Sequence, residues 1–119
     1  MNWKPSKARA ICPQICEHLC ERIARGELTA EERLPSVREY AVQIGVNPNT
    51  VQHAFDVLAQ EGVLYAVQNV GWFVGRDATP AKQTVQRLAE EKTAAFFEEM
   101  ANLGWDAETV KRFVKEWTI

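Results

Sequence analysis

A short predicted helix, which Gly45 ends, is the sequence feature that most constrains the fold of this chain. Ser36 and Glu39 match the capping box, in which each side chain accepts a hydrogen bond from the backbone N–H of the other residue. One apolar stripe follows, made of Val37, Ala41 and Ile44. Gly45 ends this helix, and another restarts at Asn47-Pro48, where Asn caps backbone N–H groups and Pro fits the first helical position. Two helices joined by about three residues have the spacing of a helix-turn-helix.

The second helix of this pair is followed directly by a stretch of different character. Its apolar stripe is predicted to be Val51, Ala54, Phe55 and Leu58, and Gly62 ends it. Residues 63–74 are rich in Val, Tyr, Trp and Phe and are interrupted at 68–71 by Gln-Asn-Val-Gly. Because Asn and Gly tolerate positive φ, this stretch predicts two short strands joined by a tight turn. A hairpin at this place makes the helix-turn-helix a winged one.

Further helices are predicted on both sides of this unit. A first helix runs from Pro13 to Gly26, and the polar residues after it form a connection that ends at Pro35. A long helix begins at Thr79-Pro80, and Asp106 caps a last short one. The predicted fold class is therefore mainly α with a small β-hairpin. A winged helix-turn-helix occupies residues 1–76, and a two-helix tail occupies residues 77–119.

Composition and charge narrow the classes of protein further. Of the 119 residues, 46% are hydrophobic and 25% are charged, as in a globular domain and unlike a disordered tail. No apolar run approaches the roughly 18 residues of a membrane-spanning helix. The amino terminus, broken by Pro and charges, does not match a signal peptide, so a cytoplasmic location is expected. The net charge of −2 gives no general attraction to nucleic acid, and phosphate binding would depend on locally placed cations.

The helix-turn-helix predicts where DNA would be read, because the first residues of its second helix lie nearest to the bases. The outward side chains there are Asn49, Thr50, Gln52, His53 and Asp56. Asn and Gln can pair bidentately with adenine, and Thr or His can bind a phosphate or a base edge. Arg33 and Arg38 are the nearest fixed cations and are expected to grip the DNA backbone. Residues 47–61 and 68–71 contain neither Lys nor Arg, which predicts modest affinity with a shallow salt dependence.

The segment RLPSVREYAVQIGVNPNTVQHAFDVLAQEGVLY, followed by GWFVG, resembles the DNA-binding domain of the GntR family of bacterial transcription regulators. The upstream run QICEHLCERIARGEL is similar to the first helix of that family, so the resemblance covers roughly residues 10–75. It implies a sequence-specific regulator, usually a repressor, that binds a palindromic operator as a homodimer. The positions that commonly touch phosphate or bases in the family match Arg33, Ser36, Arg38, Asn47, Asn49, Thr50 and Gly71.

Three departures from the family pattern bear on the strength and sequence preference of DNA binding rather than on the fold. His53 stands where close relatives often have Arg. Asn69 replaces the usual first glycine of the wing, and the wing lacks its customary basic residues. The same helix-turn-helix shape is also used for protein–protein assembly, where Asn47 would serve only as a helix cap. Protein assembly is therefore an alternative function.

The small size of the tail resembles the YtrA-like subfamily, whose tails chiefly dimerise. Two helices of this length cannot bury all of their own apolar surface, and an exposed patch of this kind marks a partner surface. The residues expected at the dimer interface are Leu88, Phe96, Met100, Phe113 and Trp117. A two-fold dimer would place two reading helices on a palindrome. Control by a small-molecule effector is expected by analogy with the family, although no residue identifies the effector.

Three cysteines form a stripe on the first helix. Cys12, Cys16 and Cys20 recur at one-turn spacing, with His18 nearby, and could offer soft ligands to a metal or form a redox pair. A metal- or thiol-responsive regulator is therefore a further alternative. The spacing lacks the Cys-x-x-Cys pairs of structural zinc sites, and Cys often packs as a small hydrophobe, so no metal or cofactor is assigned. Because no nucleophile–base pair or phosphate loop appears, an enzyme is not expected.

Overall fold

A computed structural model describes residues 3–119. The elements are α1 (Ile11–Ala24), α2 (Val37–Ile44), α3 (Pro48–Gln60), β1 (Leu64–Val67), β2 (Gly71–Val74), α4 (Thr79–Asn102) and α5 (Ala107–Lys115). This order confirms the predicted winged helix-turn-helix followed by two helices. The chain divides into two compact units, Met1–Val85 and Gln86–Ile119. Within the described residues, no helix combines the length and apolar character needed to cross a membrane.

The first three helices of the first unit pack around one hydrophobic core. α3 contacts both α1 and α2, and it also contacts β1. Fully buried side chains at its centre include Ile15, Leu19, Val51, Phe55 and Leu58. The ring of Phe55 lies 5.7 Å from that of Tyr40 on α2 and 5.3 Å from that of Trp72 on β2. One side chain of α3 thereby fixes this helix against both its partner helix and the wing.

Local hydrogen bonds set the ends of the two helices in the helix-turn-helix. Ser36 Oγ accepts from the Glu39 N–H at 3.1 Å, and Glu39 Oε1 accepts from the Ser36 N–H at 3.0 Å. Gly45 ends α2 with φ at 71°, a left-handed conformation that glycine adopts without steric cost. Asn47 Oδ1 then accepts from the Asn49 N–H at 2.7 Å. These bonds confirm the predicted capping box and the predicted start of α3.

A short segment before α2 pairs with the hairpin, and the polar composition of that segment did not predict this pairing. β1 and β2 pair antiparallel over their whole length. Residues 31–34, which connect α1 to α2 as predicted, also run along β2: Arg33 forms a bridge with Phe73, and the Leu34 N–H donates to Trp72 O at 2.9 Å. The segment that leads into α2 is therefore tied to the wing.

The second unit contains the remainder of α4 and all of α5. Asp106 Oδ1 accepts from the Thr109 N–H at 2.8 Å, which confirms the predicted cap of α5. The Phe113 ring lies 5.0 Å from that of Trp105 and 5.5 Å from that of Trp117. Large apolar side chains remain exposed on these helices and just beyond their ends, namely Phe96, Leu103, Phe113, Val114 and Trp117.

Candidate nucleic-acid interface

The side of α3 that faces away from the core carries polar groups. Val51, Ala54 and Phe55 on the inner side are fully buried. On the outer side Asn49, Gln52, His53 and Asp56 are exposed, and Thr50 is half-buried. The Gln52 amide donates to Asp56 Oδ1 at 2.9 Å. The first turns of α3 thus present amide, hydroxyl and imidazole groups, which can form hydrogen bonds with base edges in a major groove.

Arg33 braces the tip of the wing. Its Nη2 donates to Val70 O at 2.5 Å, and a Cβ at position 71 would lie only 3.2 Å from its Nε. Gly71, with φ at 153°, therefore permits the close approach of the guanidinium to the turn. Asn69 adopts φ of 63° in the same turn, the left-handed conformation that Asn tolerates. Arg33 is exposed, and its guanidinium has further N–H donors besides the one that binds Val70 O.

Unlike Arg33, Arg38 has no side-chain hydrogen bond or ion pair to the part of the chain that the structure describes. It is exposed on α2 and, within residues 3–119, forms no ion pair. The acceptor oxygens of Ser36 and Asn47 serve instead as helix caps. The Ser36 hydroxyl and the Asn47 amide still offer N–H or O–H donors toward an anion.

Two clefts bring together five of the nine predicted DNA-binding residues, whereas Arg38, Asn49, Gln52 and His53 line neither of them. One cleft of about 320 Å³ is lined by Arg33, Ser36 and Gly71. A second, of about 520 Å³, is lined by Asn47 and Thr50 together with Lys4 and Lys7 of the N-terminal segment. Neither lysine is among the residues that the sequence predicts to contact DNA. The signal that could have found them is Gln14, a polar residue among the apolar positions of α1 that needs nearby hydrogen-bond partners.

Four of the residues predicted for dimerisation lie on α4 or α5 in the second unit, and Trp117 lies two residues beyond the end of α5. Phe96 is 38% exposed, Phe113 41% and Trp117 61%, while Leu88 and Met100 are half-buried. Exposed aromatic side chains of this size form an apolar surface that can cover another apolar surface.

The cysteine stripe packs against α3. The Cys16 thiol lies 3.6 Å from Ala54 O, and burial together with neighbouring Cys12 raises its pKa to about 12. A thiol that keeps its proton at neutral pH is a poor metal ligand and nucleophile. Within residues 3–119, no three His, Cys, Asp or Glu side chains are arranged to hold a metal ion. The geometry therefore favours packing over a metal- or thiol-responsive role.

Comparisons with known proteins agree with this geometry. The family model for bacterial regulatory proteins of the gntR family matches residues 13–74. The chain is 31% identical over 118 residues to the uncharacterised HTH-type transcriptional regulator YhcF of Bacillus subtilis, an alignment that covers 99% of this chain and 98% of YhcF. It is 27% identical over 113 residues to the HTH-type transcriptional repressor YtrA of the same species, covering 94% and 87% respectively.

A solved structure gives the same result for the fold. The GntR family transcriptional regulator from Listeria monocytogenes superposes with a TM-score of 0.81 at 30% sequence identity. The match covers 96% of this chain and 100% of that chain, so the similarity includes the helices after the wing.

Proposed function

Because the chain belongs to the GntR family of bacterial regulatory proteins and is a DNA-binding transcription regulator, we propose that it represses transcription as a homodimer on a palindromic operator. The observation that carries this proposal is the division of α3 into two sides. Its inner side is fully buried in the core, and its outer side exposes Asn49, Gln52 and His53 at the first turns. A helix held this firmly can enter a major groove with its N-terminal turns first.

The outer residues of α3 read base edges in this proposal. Asn49 and Gln52 pair with adenine through their amide groups, while Thr50 and His53 bind a phosphate or a base edge. The Gln52 amide has to leave Asp56 Oδ1 or share its N–H groups to reach a base.

Contacts from α2 and the wing set the register on the DNA backbone. Arg38, exposed and without an ion pair within residues 3–119, binds a phosphate directly. Arg33 positions the wing tip through Val70 O and directs its other N–H groups to the backbone beside Gly71. The donor groups of Ser36 and Asn47 complete this set.

The homodimer is supported by the exposed apolar side chains of the second unit and by the geometry of palindromes. A two-fold axis would relate two copies of α3, each on one half-site. YtrA, which has a similar length, is named a transcriptional repressor, and this supports repression as the mode of action. Control by a small-molecule effector remains part of the proposal by family analogy.

Selection of bound duplexes from a random-sequence pool tests the proposal. The wild-type protein is expected to enrich an inverted repeat, and Asn49→Ala/Gln52→Ala is expected to lose this enrichment. Arg38→Ala is expected to weaken the binding of every duplex, because a phosphate contact carries no sequence information. Arg25→Ala is the matched control for Arg38→Ala, because Arg25 is exposed and paired with Glu27 at 2.8 Å on the first unit. Equal binding of all duplexes by the wild-type protein, or an unchanged repeat with Asn49→Ala/Gln52→Ala, would contradict the proposed readout.

A further inference from the structure

We propose that residues 3–10 form an arm of the DNA interface, in which Lys4 and Lys7 bind backbone phosphates beside the first turn of α3. This inference rests on the proposed function, since it assigns additional contacts to the same interface. It adds cations to an interface that has few of them, because residues 47–61 and the turn 68–71 contain neither Lys nor Arg.

Gln14 on α1 holds the arm in place. Its Oε1 accepts from the Ser6 N–H at 2.7 Å, and its Nε2 donates to Ser6 O at 2.9 Å and to Ala10 O at 3.1 Å. Gln14 is only 8% exposed, so these bonds lie largely shielded from water. A buried amide with both its donor and acceptor engaged fixes the arm against α1.

A ring stack fixes the other end of the arm. The Trp3 ring lies 4.0 Å from the ring of His18, and the two planes differ by only 6°. His18 lies one turn after Gln14 on α1, and both side chains are buried. The arm is thus attached to α1 at two points, with Lys7 next to the Ser6 attachment and Lys4 next to the Trp3 attachment.

This attachment places both lysines where DNA would pass. Lys4 and Lys7 line the cleft of about 520 Å³ whose other walls include Gly45, Asn47 and Thr50, that is, the turn and the first residues of the helix-turn-helix. Both lysines are exposed. A phosphate bound beside the N-terminus of α3 would therefore lie in the cleft that both lysines line.

The charge pairing of the first unit distinguishes these lysines from most other cations. Carboxylates pair with Arg9, Arg22, Arg25 and Arg76. Within residues 3–119, neither Lys4 nor Lys7 forms an ion pair. A cation without an ion pair loses no protein contact when it binds a phosphate, and it releases a counterion from DNA.

The salt dependence of binding tests the arm. Each phosphate contact contributes about 0.9 to the slope of log affinity against log salt concentration. The double variant Lys4→Ala/Lys7→Ala is therefore expected to lower the slope by about 1.8 per protomer. Its affinity should fall by the same factor for the selected operator and for a random duplex, because phosphate contacts carry no sequence information.

A double variant with the same change in net charge serves as the control. Arg25→Ala/Lys82→Ala removes two cations of a different cleft, also lined by Gly26, Gly75 and Arg76, and Arg25 is paired with Glu27. Its slope should equal that of the wild-type protein. An unchanged slope in Lys4→Ala/Lys7→Ala would overturn the arm, and so would an equal loss in the control, which would indicate a net-charge effect.

Two further variants separate the position of the lysines from their charge. Lys4→Arg/Lys7→Arg should retain the wild-type slope, and Gln14→Ala should lower it although every cation is still present. A wild-type slope in Gln14→Ala would contradict the anchoring role of Gln14. Failure of the proposed function gives a different result: no inverted repeat is enriched, yet the slope on a random duplex still reports whether the lysines bind phosphate.

Discussion

The guanidinium of Arg33 lies directly against the turn of the wing because position 71 has no side chain. Its Nη2 donates to Val70 O, and the backbone of residue 33 bridges to Phe73 in β2. The residue that leads into α2 is thereby coupled to the wing tip through both its main chain and its side chain. A change at Gly71 should therefore alter the position of Arg33 as well as the turn itself.

Gly71→Ala is expected to weaken DNA binding in addition to destabilising the fold. The new Cβ would lie 3.2 Å from Arg33 Nε and 3.3 Å from Nη2, which displaces the guanidinium. Gly26→Ala is the matched control, since Gly26 has φ of 80° and nothing within 4 Å of an added Cβ. Each variant should lose about 1–3 kcal/mol in urea unfolding, because alanine is strained in this region of φ. Equal DNA affinities of the two variants in titrations would contradict the coupling.

His18 should make folding stability depend on pH. Burial, followed by Arg22 and Arg25, lowers its pKa below the usual 6.5, an effect that Glu27 partly opposes. The unfolded chain therefore binds more protons below pH 6.5 than the folded one. The stability contributed by neutral His18 is complete above pH 6.5 and is lost as the pH falls through the lowered pKa.

Urea unfolding at several pH values checks this expectation. The free energy of unfolding of the wild-type protein should fall on acidification relative to that of His18→Gln, which cannot titrate at this position. The comparison removes the contribution of the carboxylates that both proteins share. Parallel stability curves for the two proteins between pH 7.5 and pH 5.5 would contradict the lowered pKa.

At the scale of secondary structure, side-chain caps determine where the reading helix begins. Asn47 Oδ1 accepts from the Asn49 N–H, and the equivalent bond in the second unit joins Asp106 Oδ1 to the Thr109 N–H. Both caps belong to exposed residues at helix starts. Only Asn47 lies in a cleft with residues assigned to DNA, so the two positions separate the effect of a lost cap from that of a lost DNA contact.

Replacement of Asn47 should separate its cap from its DNA contact. Asn47→Ala and Asp106→Ala are each expected to lower the free energy of unfolding by about 1 kcal/mol, the usual cost of a lost cap. Asn47→Asp should keep the stability, because a carboxylate also caps a helix and interacts favourably with its N-terminus. The same carboxylate should weaken DNA binding by repelling phosphate. Wild-type affinity in Asn47→Asp would show that DNA does not approach this residue.

The parts of this fold that could be predicted are those determined by neighbours in sequence. The capping box joins residues three apart, Ser36 and Glu39, so the sequence displays it directly. The contact of Arg33 with Val70 spans 37 positions, and the pairing of residues 31–34 with β2 is too short to show an alternating pattern. The position of Lys7 depends on hydrogen bonds between Gln14 and the backbone of Ser6, in a segment without regular structure that carries no periodic pattern.

At the scale of the whole molecule, the second unit exposes more large apolar side chains to water than the first unit does. Leu103 is 70% exposed and Trp117 is 61% exposed, whereas Val110 is fully buried. Among the large apolar residues described for the first unit, Val42 is the most exposed at 82%, and its neighbours on α2 include the exposed polar residues Arg38 and Gln43. The exposed rings of Phe113 and Trp117, which lie 5.5 Å apart, therefore suit the proposed second copy of the chain, and an isolated valine does not.

Trp117→Glu is accordingly expected to convert the proposed dimer to a monomer. A glutamate at the interface would have to be buried without a partner, which is unfavourable. Linked binding of two half-sites commonly exceeds single-site binding by about 100-fold or more, so the affinity for the palindrome should fall by this order while the affinity for an isolated half-site stays the same. Sedimentation equilibrium and titration of both duplexes measure these two effects.

Val42→Glu is the matched control for this change, because it places the same charge at an exposed apolar position of the first unit. It should sediment as the wild-type dimer, whatever its effect on DNA. A monomeric wild-type protein at micromolar concentration, or a dimeric Trp117→Glu, would locate the dimer interface elsewhere or remove it. A dimeric Trp117→Glu that still lost affinity for the half-site would instead show that α5 supports the fold of the reading unit.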